Sequence, residues 1–121
     1  MRRGHDVQTH LHPHWLRARR EGRRWLTHTE HFLVGDLPLE TTKALLARAS
    51  SYLTDLLRPV DPHYACVAFR AGNYGLQPNV EAVFAALRET GYLLDSSVVP
   101  RFLLTNAVNR IDLRGRESSG R

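Results

Sequence analysis

The chain has 121 residues, 42% of them hydrophobic, a formal charge of +5 and a sequence pI of about 10.1. That supplies apolar material for one ordinary core and leaves no length for a second. One cysteine excludes an internal disulfide, and no run of about 18 apolar residues exists to cross a membrane, so a soluble protein, cytoplasmic by default, is expected.

A short strand is expected near His5–Thr9, and it leads into His10-Leu11-His12-Pro13-His14. The stretch from Trp15 to His31 holds Arg17, Arg19, Arg20, Arg23 and Arg24 between Trp15 and Trp25 and reads as a solvated basic excursion. Lys43 is the only lysine, and so one-sided a use of arginine fits compositional bias as readily as phosphate contacts. It weighs against nucleic acid as a partner. Glu40–Leu57 is the clearest helix, with Leu45, Leu46, Ala49, Tyr52, Leu53, Leu56 and Leu57 at helical spacing until Pro59 and Pro62 stop it.

Tyr64–Phe69 is continuously apolar, the pattern of a strand buried on both faces, with Cys66 as a core residue. Asn79 caps a second helix that runs to Glu89, and Gly91 ends it. Tyr92–Asp95 is a third strand. From Thr105 the apolar pattern fades, so residues 1–104 form the expected domain and 105–121 a disordered tail. Strand, helix, strand, helix, strand specifies an α/β fold with parallel strands alternating with helices. Three strands do not close a barrel, which takes roughly 200 to 250 residues. A partial (β/α) barrel with exposed sheet edges is therefore expected, and such edges invite self-association.

Four of the seven histidines fall between His5 and His14. His10 and His14 stand four apart, so a tight bend after the strand brings both rings toward one point, as ligands of Zn2+ or another divalent metal. An extended chain would instead align His12 with them, although Pro13 opposes a continuing strand. Arg70, in Phe69-Arg70-Ala71-Gly72-Asn73-Tyr74-Gly75, emerges where the second strand ends, and Asp95 precedes Ser96 and Ser97 where the third ends. Active sites of parallel α/β folds assemble at those carboxyl ends.

These three segments, Gly4–His14, Phe69–Gly75 and Gly91–Ser97, resemble the histidine, arginine and aspartate motifs of the polysaccharide deacetylase (NodB-homology) family. The resemblance implies a distorted (β/α) barrel that hydrolyses acetyl groups on a carbohydrate substrate with a divalent metal. It assigns His10 and His14 to the metal, Arg70 to orienting a base carboxylate, and Asp95 to tuning the acid. The family's opening Asp pair and closing Leu-x-His have no counterpart in the chain, so weak activity or none is expected of it alone. Two further readings stand beside this one: an amidohydrolase-type metal hydrolase using His10-x-His12, and a non-catalytic remnant.

Overall fold

The computed structural model describes residues 4–114. Its centre is a three-stranded parallel sheet made of β1 (Thr9–Leu11), β4 (Ala68–Ala71) and β5 (Leu94–Asp95), in the order β1-β4-β5. Thr9 pairs with Phe69, His10 with Arg70 and Leu11 with Ala71; Ala68 pairs with Leu94 and Phe69 with Asp95. Each consecutive pair is joined through a helix, α1 (Leu39–Leu57) then α2 (Val80–Glu89), so parallel strands alternate with helices as the sequence implies. No barrel closes among the described residues.

The two faces of the sheet differ. Thr9, Phe69 and Ala71 point into a core shared with Leu46 of α1 and Val83, Ala86 and Leu87 of α2. His10 and Arg70 alternate to the other side and stay exposed. β4 is therefore buried on one face only, and it lies at 68–71 rather than over the apolar run that begins at Tyr64. The Tyr64 amide is held in a turn by the Asp61 carbonyl, and the side-chain oxygen of Gln8 accepts the amides of Val67 (2.9 Å) and Ala68 (2.8 Å). A side chain thus stands in for the neighbouring strand, and the backbone ladder begins one residue later.

Helix α1 starts one residue earlier than the spacing suggested and buries the stripe that contains Thr42 and Leu46. Tyr52 and Leu56 lie outside that stripe and are more than half exposed, although their spacing had placed them on the apolar face. Lys43 ties the two helices together, reaching Glu89 at 2.7 Å while holding Glu40 at 3.2 Å. Asn79 precedes α2 as expected but makes no side-chain cap; its amide donates to the Gly35 carbonyl instead.

Two antiparallel hairpins were not anticipated. β2 (Arg19–Glu21) and β3 (Arg24–Leu26) form one, inside the stretch read as an irregular loop. β6 (Leu103–Thr105) and β7 (Arg110–Asp112) form the other, where the pattern suggested a tail from Thr105. The second hairpin packs: Ile111 is fully buried, Phe102 meets the ring of Tyr74 at 4.7 Å, and the Gln77 side chain bonds both backbone groups of Asp112. The remainder of the expected tail, residues 115–121, lies outside the described residues.

Candidate functional site

β1 delivers His10 to the open face of the sheet beside Arg70. Nδ1 of His10 lies 3.0 Å from the Arg70 carbonyl oxygen, which can only accept, so Nδ1 carries the proton. In the neutral ring that leaves the Nε2 lone pair free, with its direction fixed by the backbone of β4. A carbonyl-oriented imidazole of this kind is how proteins present a histidine to a metal.

His12 follows at the end of β1, with its ring edge-on to His10 at 4.6 Å and to His14 at 5.3 Å. Two imidazoles on one ion, with metal–nitrogen bonds of about 2.0–2.1 Å, place their ring centroids roughly 5 Å apart. Both separations meet that measure. Burial, followed by the charges of His10 and His14, holds His12 below the usual imidazole pKa and so favours its neutral form. Its ring fits because residue 72 is glycine: a Cβ there would stand 2.5 Å from His12 Nδ1 and 2.5 Å from the Leu11 carbonyl oxygen.

His14 sits in the 3-10 turn Pro13–Trp15 and stacks on Phe32 at 4.5 Å, nearly parallel. Nδ1 of His12 and Nδ1 of His14 are both buried without a hydrogen-bond partner among the described residues. The turn aims His14 away from the open face. His10 lines a shallow pocket of about 350 Å³ with Arg70, Gln8 and Ser96, whereas His14 lines another of about 240 Å³ with Arg17, His28 and His31. His12, in ring contact with both, is what joins the two expected ligands.

Arg70 anchors its Nε–H on the Ser96 carbonyl (3.2 Å) and forms no ion pair among the described residues. Asp95 points elsewhere. Its two oxygens accept the Ser97 hydroxyl (2.5 Å) and the Ser97 amide (3.0 Å), and that hydroxyl accepts the amide of Ala71 at 2.7 Å. Asp95 therefore holds buried Ser97 against the end of β4. Arg70 and His10 are brought together; Asp95 stands one strand over without touching either ring or guanidinium.

The imidazoles suit a divalent ion in donor chemistry, but the three do not converge on one point. Among the described residues no three His, Cys, Asp or Glu side chains are grouped to hold one. Sequence reasoning named Ser97 without giving it a role and missed the dependence of His12 on Gly72. Ser97 carried a signal, since residues 95 and 97 share a direction in an extended segment and an Asp two before a Ser commonly bonds it. Comparison with family models, with curated proteins and with solved structures finds no match.

Proposed function

We propose that this chain carries the imidazole part of a metal-dependent hydrolase centre acting on acetylated carbohydrate, of the polysaccharide deacetylase kind. The observation that carries the reading is the His10 ring, fixed through Nδ1 on the Arg70 carbonyl at the carboxyl ends of a parallel sheet. His10 and His14 are the ligands that the resemblance implies for Zn2+ or a similar ion, with His12 seated between them. When bound, such an ion supplies Lewis acidity toward an acetyl carbonyl and toward water.

The chain's own residues do the rest. Arg70, tethered by one N–H, keeps its remaining donors at the pocket shared with His10, where they suit a carboxylate or a substrate oxygen. Asp95 acts by position, because both its oxygens are committed to Ser97. The remaining ligands are left to water, substrate and carboxylates that the described residues do not group here.

A second reading, the amidohydrolase-type pair His10-x-His12, is favoured by the shorter of the two ring contacts. Zinc titration calorimetry on the single variants His10→Ala, His12→Ala and His14→Ala separates the two, alongside acetate release from acetylated chito-oligosaccharide. Loss of binding in His10→Ala and His14→Ala with His12→Ala retained supports the deacetylase pair. Loss in His10→Ala and His12→Ala with His14→Ala retained supports the other. A wild-type chain with no stoichiometric zinc removes both.

A further inference from the structure

Arg17 to Arg24 holds five arginines and one glutamate, a formal +4 of the chain's +5. The rest of the molecule is thus nearly neutral. The eleven arginines and one lysine elsewhere are nearly balanced by eleven acids, whereas the unbalanced charge is gathered on β2, β3, the turn between them and Arg17 just before β2.

That hairpin stands clear of the core, with every residue from Arg19 to His31 exposed and Gly22 taking the turn at φ 59°. Antiparallel register sets Arg20 across from Trp25 on one face, and Arg19 across from Leu26 and Glu21 across from Arg24 on the other. Trp25 is 60% and Trp15 52% exposed, although an uncovered indole forgoes a large burial gain. Arg19 is paired with Glu21, and Arg20 bonds the Gly22 carbonyl. The guanidiniums of Arg17, Arg23 and Arg24 make no hydrogen bond or ion pair among the described residues. A two-stranded ribbon covered on neither face is marginal by itself. Unspent guanidiniums beside flat, exposed rings make it a surface for a polymer that offers anions and ring faces.

The base of the arm leads to the imidazoles. Arg17 and Leu16 line the 240 Å³ pocket together with His14, whose ring touches that of His12. A polymer lying along the ribbon therefore reaches the His14 pocket, one ring contact from His12.

We propose that this arm binds a run of uronic acid residues, so that the substrate class is an acetylated anionic polysaccharide and not a neutral one. The proposal rests on the carbohydrate reading given above. Planar carboxylates match the guanidinium fork in two parallel hydrogen bonds, which suits an arm made only of arginine. Pyranose rings present an apolar face to an indole, and Trp25 lies beside Arg20 to receive one. Single-stranded nucleic acid also offers charge and flat rings, but the continuity of the arm with His14 favours the glycan.

The test is binding of the full chain, by titration calorimetry at low and moderate salt, to polygalacturonate, neutral xylan, oligothymidylate and inorganic polyphosphate. Polygalacturonate should bind with an affinity that falls as salt screens the contacts, and neutral xylan should not bind. The triple variant Arg20→Ala, Arg23→Ala, Arg24→Ala should weaken polygalacturonate at least tenfold. Trp25→Ala should weaken it several-fold while leaving polyphosphate unchanged, the readout that separates ring stacking from bare charge. The arm has no core contacts to lose, and the single tip variant Arg23→Ala repeats the test with the least disturbance.

Equal or tighter binding of oligothymidylate or of polyphosphate overturns the proposal, as does polygalacturonate binding unaffected by the triple variant. Zinc titration of the same chain probes the centre without the arm. Stoichiometric zinc binding that persists while polygalacturonate is ignored sinks the arm alone. Arm binding that persists in a chain with no stoichiometric zinc upholds the arm and removes the centre.

Discussion

Gly72→Ala tests the packing on which the imidazole cluster depends. Gly72 does not use glycine's left-handed freedom, so alanine is sterically allowed by its backbone. Taken alone, that substitution would stabilise by about 0.4–1 kcal/mol through a less flexible unfolded chain. Against this stands a Cβ placed 2.5 Å from the Leu11 carbonyl oxygen, 2.5 Å from His12 Nδ1 and 2.8 Å from His12 Cε1. The oxygen belongs to β1 and cannot rotate away. The fixed oxygen puts the overpacking cost in the upper half of its usual range, about 2–3 kcal/mol, which leaves a net loss of roughly 1–2.6 kcal/mol. For a chain of 121 residues each kcal/mol corresponds to about 4 °C in Tm. Thermal unfolding should therefore show a drop of roughly 4–10 °C, and the ring resonances of His12 should shift in the carbon–proton NMR spectrum. In the double variant with His12→Ala the ring clash disappears and the clash with Leu11 stays, so the two substitutions should couple by about 0.5–3 kcal/mol. A Tm equal to or above that of the wild type, with unmoved His12 resonances, would refute the argument that Gly72 exists to seat that ring.

Ile111→Ala should lower stability by about 2–5 kcal/mol in urea unfolding, since Ile111 is fully buried; a change under half a kcal/mol would mean that the second hairpin does not pack. Tyr92 donates its hydroxyl to the Leu46 carbonyl and accepts from Thr9, and burial pushes its pKa up to about 12. The neutral form is favoured by folding, so the stability it contributes is complete below the ordinary tyrosine pKa of about 10 and is lost as pH rises from there toward 12. Ultraviolet titration should show a late phenolate that is absent in Tyr92→Phe, and a normal midpoint would contradict the burial.

The helices were legible because period 3.6 survives in Leu45–Leu57 and Val80–Leu87, and because prolines and Gly91 bound them. Strand positions were legible only roughly. Nothing in the pattern Tyr64–Phe69 says that the side chain of Gln8 will take the amides of Val67 and Ala68 and so delay the ladder. The first hairpin is charged on both faces and has no apolar alternation to find, although Glu21-Gly22 is a turn signal. The second hid behind few apolar residues, yet Asn106 accepts the amides of Val108 and Asn109, an Asx turn that its asparagine advertises. In the site, the four-residue spacing of His10 and His14 was visible. Their division between two pockets was not, because it depends on the turn at Pro13 and on Phe32, eighteen residues beyond His14.

What the open face is made of bears on what it does. Parallel sheets ordinarily bury both faces, yet here only the side toward α1 and α2 is covered. The uncovered side is polar where it meets the candidate site, with Gln8, His10, Arg70 and Ser96 around one pocket. The apolar exposure lies apart, at the β5 edge, where Leu93 is 82% and Leu94 56% exposed. An edge of that composition suits a further strand or a second chain, and a polar floor suits water, a metal ion or a hydroxyl-rich substrate. The division of the sheet into a wet floor and a greasy edge agrees with the proposal that His10 and Arg70 face a polar ligand, and it places any further strand or chain at the opposite end of the sheet from β1.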